Sequence, residues 1–304
     1  MACRPSSRTA SPSAARQVNA PTAIDSFIQG ASRLPVMPKA TVRLLELLES
    51  PDCTARELAE VIETEPALAV RLLKLANSPF YGQRGRIASV ARAVVVLGAK
   101  TIRSLAMAVW THTLKAQMRS ADEMRLMLPL LQHGLATGVT AQLLVEKTNR
   151  ALADDAFMAG LLHDIGRVAL VAQLGTRYQG YILEPALRDR VPLHAMEATV
   201  LGFDHRALGA RLMAAWGLPG FLATVAERHH DAGLVPDKQD VVAAVALADA
   251  CATALGFNLA AEIHRPSQDG IAAFYGLGDE LVMNEFLESC TDWIRMFNDA
   301  LDGP

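Results

Sequence analysis

LLHDIGR, residues 161 to 167, sets the question that the whole fold has to answer. Leu161 and Leu162 end an apolar run, and Gly166 is expected to terminate the helix that carries them. Between them stand His163 and Asp164, the two residue types that most readily share a hard or borderline metal ion. A single adjacent pair settles nothing, because two-letter matches arise by chance and a buried histidine bonded to an aspartate is a common structural device. If the pair is a working site, further ligands must be brought to it from elsewhere in the chain.

Helical signals run the length of the sequence. In KATVRLLELLES (39–50), Val42, Leu44, Leu45, Leu47 and Leu48 form a broad apolar stripe at helical spacing. Thr54 followed by Glu57 is a capping box that starts a new helix. Pro66 sits where a first-turn proline would, opening an apolar helix through Ala76 that stops at Asn77. After the Gly- and Arg-rich YGQRGR (81–86), two more helical stretches reach about residue 117, and the polar MRSADE (118–123) precedes a long helix to about Lys147. Further helices are expected at about 154–164, 166–174, 177–190, 193–201, 204–216, 219–230, 238–256 and 279–301. Strand signals are almost absent, and no repeat period of roughly 20 to 50 residues is visible. The fold class is therefore all-α, with a boundary between two helical subdomains near residue 120: 21–120 and 121–304.

With 304 residues and 51% hydrophobic content, the chain can bury a large core in one or two domains. The formal net charge of −3, from 29 basic and 32 acidic residues, provides no strong field for nucleic acid or an anionic membrane. Cys3, Cys53, Cys251 and Cys290 lack CxxC spacing, as suits reduced thiols in a cytoplasm. No apolar run approaches the roughly 18 to 20 residues of a membrane span; AVVVLGA (93–99) is a core-sized run. Residues 1–20 carry Arg4, Arg8 and Arg16, no acid and no apolar centre, which is the composition of a disordered tail rather than a signal peptide.

Two constellations compete for the function. TARELAEVIETEPALAVRLLKLAN (54–77) has the outline of a helix-turn-helix, with Arg71 and Lys74 on its second helix. A recognition helix must expose a polar face to base edges, yet Leu68, Val70, Leu72, Leu73 and Leu75 surround this one, so a buried helix is expected instead. The second constellation grows out of HDIGR. Five of the eight histidines, His133, His163, His205, His229 and His230, fall on or at the edge of separate predicted helices, apart from the last pair. Asp249 projects from an otherwise apolar helix, where an unpaired carboxylate is costly and a cation would serve it. An imidazole and carboxylate set of this kind suits Fe, Mn, Ni or Zn. Each residue has a plainer reading: His133 as a satisfied core or surface histidine, His205 as a helix-start residue, and His229-His230 as a solvated helix end. His112, His194 and His264 are left to such readings.

The order of these residues, with LPVMPKATVRLLELLESP, ETEPALAVRLLKLANSPFYG and VARAVVVLGAKTIRSLAM ahead of them and GFDHRALGARLMAAWGLP behind, closely resembles the HDOD family, the HD-related output domains of bacterial signalling. The resemblance covers about residues 27–256. It implies an N-terminal helical bundle packed on an HD-type helical bundle. It also implies a regulatory output module that acts through protein-protein contacts, because members often look like HD phosphohydrolases that have lost metal ligands.

Here the ligand positions look largely kept. By motif, His133 matches the first histidine of an HD site, His163 and Asp164 the name-giving pair, and Asp249 the closing aspartate. His205, His229 and His230 match the extra histidines that hold a second metal in the HD-GYP phosphodiesterases of cyclic di-GMP, with Asp164 bridging. One or two divalent ions are thus implied, and Asp164 and Arg167 are the candidate catalytic residues. A metal-dependent phosphohydrolase is the alternative function.

Three departures favour the module. Arg167 stands where those enzymes carry lysine, and a guanidinium clamps phosphate with different geometry. Pro129 stands where they carry a glutamate ligand, and DAGLVPDKQD follows His230 in place of a GYP segment. No receiver, GGDEF or EAL segment stands in the chain, so the expected partners are other signalling proteins, components of cyclic di-GMP signalling among them, with no direct contact to nucleic acid or membrane.

Overall fold

The computed structural model describes residues 23–78, 86–259 and 268–301, and every regular element among them is helical, as expected. The first 20 residues, most of YGQRGR and His264 lie outside the described residues. Where the sequence carries start signals, the elements begin at them. Helix α1 spans Ala23–Gly30, α2 Lys39–Glu49 and α3 Ala55–Glu63. The Thr54 hydroxyl accepts from Glu57 N, while the Glu57 carboxylate accepts from Thr54 N at 2.9 Å. Helix α4, Pro66–Ala76, has its proline in the first turn, where no backbone N–H is needed. Helix α5, Val90–Thr113, is two helices joined at Gly98, whose φ of 77° only glycine adopts cheaply, and a 3-10 turn Leu114–Gln117 follows.

Helices α2 to α5 pack together, with Leu44, Ile62, Leu72, Leu75 and Ile102 at 0% exposure. Each such side chain contributes roughly 1.5 to 3 kcal/mol of transfer free energy. One member of the expected apolar surround of α4 departs: Val70 is 46% exposed. Arg71 does not reach outward either, because its Nε donates to the Leu301 carbonyl at 2.8 Å.

The second group of helices is built around α6, Ala121–Glu146, which starts at the Ser120 N-cap. It comprises α7 (Ala153–Leu162), α8 (Ile165–Leu174), α9 (Thr176–Tyr178), α10 (Glu184–Asp189), α11 (Leu193–Leu201), α12 (His205–Ala215), α13 (Gly220–Arg228) and α14 (Val242–Ala254). The single helix expected at 177–190 is broken by a π turn, Gln179–Leu183, just before Pro185, which cannot donate to the preceding turn. The helix expected from 238 begins only at Val242, because Asp237 and Asp240 hold the preceding backbone in side-chain-capped turns. Two helices were missed from sequence, α1 and α15 (Asp269–Phe274), each too short to show a period. The last helix, α16 (Glu280–Leu301), packs on α4, α5 and α6 and so ties the two groups together. Helix α1 leans the other way: Phe27 meets Phe203 edge-on at 5.4 Å, and Asp25 pairs with Arg211 at 3.0 Å.

Two stretches, Val90–Gln117 and Arg150–Leu174, are long and apolar enough to cross a membrane, contrary to the sequence expectation. The most apolar window of the second is 89% buried inside the fold, so a protein core accounts for its composition.

Candidate metal centre

Close backbone approach brings the first two imidazoles together. A Cβ on Gly138 would stand 2.8 Å from the Phe157 carbonyl oxygen, and one on Gly160 would stand 2.8 Å from the Gly138 backbone, so α6 and α7 touch as only glycines permit. His133 on α6 and His163 at the end of α7 consequently lie with ring centroids 5.2 Å apart. The chain breaks at His163-Asp164 and resumes as α8. Gly166 does not terminate a helix, as the sequence suggested, but lies in the first turn of α8. A Cβ there would collide with the His205 carbonyl oxygen, so the glycine is what lets α12 reach α8. Asp204 caps α12 by accepting from Ala207 N, which fixes His205 in the first turn. His229 is the C-cap of α13, and Asp249 lies within α14.

All seven of these side chains are buried or nearly so, and their donor atoms fall into two groups. In one, His133, His163 and Asp249 place ligand atoms within 4.8 Å of one another; in the other, Asp164, His205, His229 and His230 do the same. Asp164 reaches toward both, with Oδ2 3.8 Å from His163 Nε2 and Oδ1 3.2 Å from His205 Nε2.

The outer nitrogens decide the tautomers. His133 Nδ1 lies 2.6 Å from the Phe257 carbonyl, His163 Nδ1 2.6 Å from the Gly160 carbonyl, and His229 Nδ1 2.9 Å from the Ala226 carbonyl. His205 Nδ1 lies 2.6 Å from Glu197 Oε2. Carbonyls and carboxylates only accept, so each Nδ1 carries the proton and donates it outward. The Nε2 lone pairs of His163, His205 and His229 are thereby aimed inward at Asp164 or Asp249, while His133 Nε2 donates to Asp249 Oδ1 at 2.8 Å. His163 Nε2, His229 Nε2 and Asp164 Oδ1 are buried and make no hydrogen bond. Acceptors facing acceptors in a dry interior are unfavourable unless a cation stands between them, and outer hydrogen bonds of this kind are what orient metal-bound histidines. The donor set fits a divalent ion of the borderline class.

The electrostatics agree. Burial pushes His163 down to about 3 and His230 well below the imidazole range, so both rings are neutral at neutral pH. Burial opposes the charge of Asp164, yet the Arg167 guanidinium and the surrounding imidazoles hold its carboxyl well below the usual range. His133 is the exception: burial disfavours its charge, but Asp249 Oδ1, 2.8 Å from Nε2, raises it, and a bound metal would displace that proton.

The sequence pattern of the HDOD domain matches residues 34–232. The chain belongs to the HDOD family. An uncharacterised protein of Treponema pallidum (strain Nichols) is 26% identical over 227 residues, which is 72% of this chain and 42% of that protein, so the chain spans about two fifths of this relative's length. Among solved structures, an HDOD domain protein of unknown function from Geobacter sulfurreducens superposes with a TM-score of 0.73 at 25% identity, covering 92% of this chain and 97% of its own. A proposed signal transduction protein from Marinobacter aquaeolei VT8 superposes at 0.66 with 23% identity, covering 87% of this chain and 60% of its own, and shares the fold. Asp249 lies beyond the matched HDOD residues, yet the fold returns it to the centre.

Within this HDOD chain, the plainer readings of several histidines give way. His229 is not a solvated helix end but 2% exposed, and His205 is at a helix start while fully buried. His194, set aside from sequence, stacks on His230 with centroids 5.4 Å apart. His112 keeps its plainer role beside Lys115. Pro129 lies inside α6, one turn before His133.

Sequence reasoning missed Glu197 and Tyr178. Glu197, at 0% exposure, accepts from both the backbone N and Nδ1 of His205, while Tyr178 donates to its Oε1 at 2.6 Å. The available signal was a lone acid in the mostly apolar LHAMEATVL. Arg167, read from sequence as a phosphate clamp, is itself buried: Nη1 donates to Asp164 Oδ2 at 2.6 Å, and Nη2 lies 3.2 Å from both ring nitrogens of His205.

Proposed function

We propose that this HDOD protein is a signal-transduction output module that acts through protein partners, with a divalent metal held by the His and Asp centre as a structural pin. The observation that carries this reading is the enclosure of the centre. The side chains of His163, His205 and His229 are 0% exposed, those of Asp164 and Asp249 4% and 3%, and Arg167 is spent on Asp164. A hydrolase must admit a phosphoryl group to its metal and keep a cation free to clamp it. A metal that pins α6, α7, α12, α13 and α14 together needs neither. The name carried by the Marinobacter neighbour agrees with a signalling role.

The second reading, a metal-dependent phosphohydrolase, is favoured by one feature, the division of the ligands into two groups with Asp164 between them. Metal analysis of the purified protein, followed by a screen of phosphomonoesters and phosphodiesters including cyclic di-GMP, separates the two. The module reading expects bound metal and no turnover. Metal-dependent turnover that disappears in Asp164→Ala at unchanged fold overturns it.

A further inference from the structure

We infer a second ligand site, apart from the metal centre, in the recess beside the break in α5, and its charges assign it a free α-amino acid with an apolar side chain. The recess has a volume of about 620 Å³, within the range of small-molecule sites, and is lined from α5, α6, α7 and α16. None of its residues belongs to the His and Asp cluster. Gly98, with φ 77° and ψ 161°, interrupts α5, so residues 99–113 start afresh and their first turn borders the recess. A helix start offers backbone N–H groups without intrahelical acceptors and the positive end of the dipole, which suits a carboxylate. Helix starts are common, and this one alone would mark nothing. The observation that points to a ligand is Ser104, three residues after Thr101 on the recess wall. It is 2% exposed, and its hydroxyl is buried with no hydrogen-bond partner. A buried hydroxyl left unmet costs free energy, which a bound acceptor or donor relieves.

The charged groups on the recess decide the ligand class. Lys100 is spent, with Nζ 3.3 Å from Asp154 Oδ2 and 3.1 Å from the Ala151 carbonyl oxygen. Glu146 and Arg150 line the same recess, yet neither forms an ion pair with the other or with another described residue. Burial pushes the Glu146 carboxyl up, an effect that the Arg150 charge offsets and Asp154 reinforces. A simple anion would be repelled by Glu146, and a simple cation by Arg150 and the helix start. A zwitterion answers both: its ammonium meets Glu146, and its carboxylate meets Arg150, the Ser104 hydroxyl and the first turn of residues 99–113. Trp293 and Phe297 of α16 form the apolar wall, which takes the ligand's side chain. Such a ligand bridges α5, from the first group of helices, to α6 in the second, and so gives the molecule a small-molecule input.

The test is isothermal titration calorimetry of the full chain with L-leucine and L-phenylalanine. At least one should bind in a one-to-one ratio. Its analogue without the carboxylate, isoamylamine or phenethylamine, and its analogue without the ammonium, 4-methylpentanoate or 3-phenylpropionate, should each bind about tenfold more weakly or worse, as loss of a hydrogen-bonded charge implies. Glu146→Gln and Arg150→Gln, both at the rim of the recess, should each weaken the amino acid by about the same factor. Ser104→Ala should weaken it too, while its urea melt without ligand stays at least as stable as that of the wild type, because the hydroxyl removed had no partner. Binding of neither amino acid would overturn the site. An amine or an acid that binds as well as its amino acid would overturn the ligand class. A Ser104→Ala protein that binds like the wild type, or that is destabilised without ligand, would show that the hydroxyl serves the fold instead, and the inference would fall.

Discussion

The helices up to Thr113 and those from Ala121 onward bury different things. Among the described residues of the first group the buried polar side chains are Thr41, Ser104 and Thr111, none of them ionisable. In the second they include His133, His163, Asp164, Arg167, Glu197, Asp204, His205, His229 and Asp249. Both groups have enough apolar surface to fold, so the ionisable cluster is not there for want of a core. Buried charges add little net stability even when paired, and removing one partner is strongly destabilising. A fold that gathers so many at one point is built around what they hold. The first group is packing, and the second is packing around a centre.

The largest break in that contrast is expected from Asp164→Ala. Arg167 would lose its closest carboxylate in a dry interior, which costs about 3 to 5 kcal/mol. The metal-linked stability would go as well, about 2.7 kcal/mol at a hundredfold excess of metal over Kd. Urea melts with and without added Mn2+ check both parts: the wild type should gain stability with metal and the variant should not. Leu72→Ala, in the first group, should cost about 3 kcal/mol through the cavity it leaves, because Leu72 is fully buried. Its metal content should match the wild type. A loss of metal there would mean that the two groups are not separable as argued.

Gly166→Ala is smaller but more pointed. The added methyl collides with the His205 backbone, so α8 and α12 must part by about an ångström or more. We expect about 2 kcal/mol of destabilisation and weaker Mn2+ binding, measured by calorimetry. Unchanged affinity would show that the α8 to α12 contact does not set the ligand geometry.

What was legible in the sequence follows the same division. The limits of α4 could be read because Pro66 and Asn77 are local signals, and Asp249 stood out because a carboxylate on an apolar helix needs an explanation at once. Gly166 was misread because its reason is not local: the space its side chain would need is filled by a carbonyl from His205, far along the chain. Glu197 and Tyr178 went unseen for the same cause, since each is ordinary in its own helix and meaningful only once α9 and α11 are placed against α12. The pattern of ligands was visible; the hydrogen bonds that aim them were not.

The smallest expected effect sharpens the boundary between the two groups. Arg33, in the segment between α1 and α2, donates through Nη1 and Nη2 to the two oxygens of Glu123 at 3.1 and 2.8 Å, and Arg119 N donates to the same carboxylate. The Arg33 hydrogen bonds, followed by the one from Arg119, bring Glu123 down from 4.5 to about 2. A carboxyl depressed in the folded state stabilises the fold fully above its unfolded value, and that contribution fades as pH falls from about 4.5 through about 2. Glu123→Gln should therefore cost about 1 kcal/mol at pH 7, and the gap from wild type should shrink steadily on acidification. Because Glu123 starts α6 while Arg33 precedes α2, this pair is a charged tie across the boundary, and neither residue belongs to the His and Asp cluster. Its loss should leave Mn2+ affinity unchanged. If affinity falls with it, the entry to α2 is part of what holds the centre in shape, and the line between packing and centre must be drawn further toward the N-terminus.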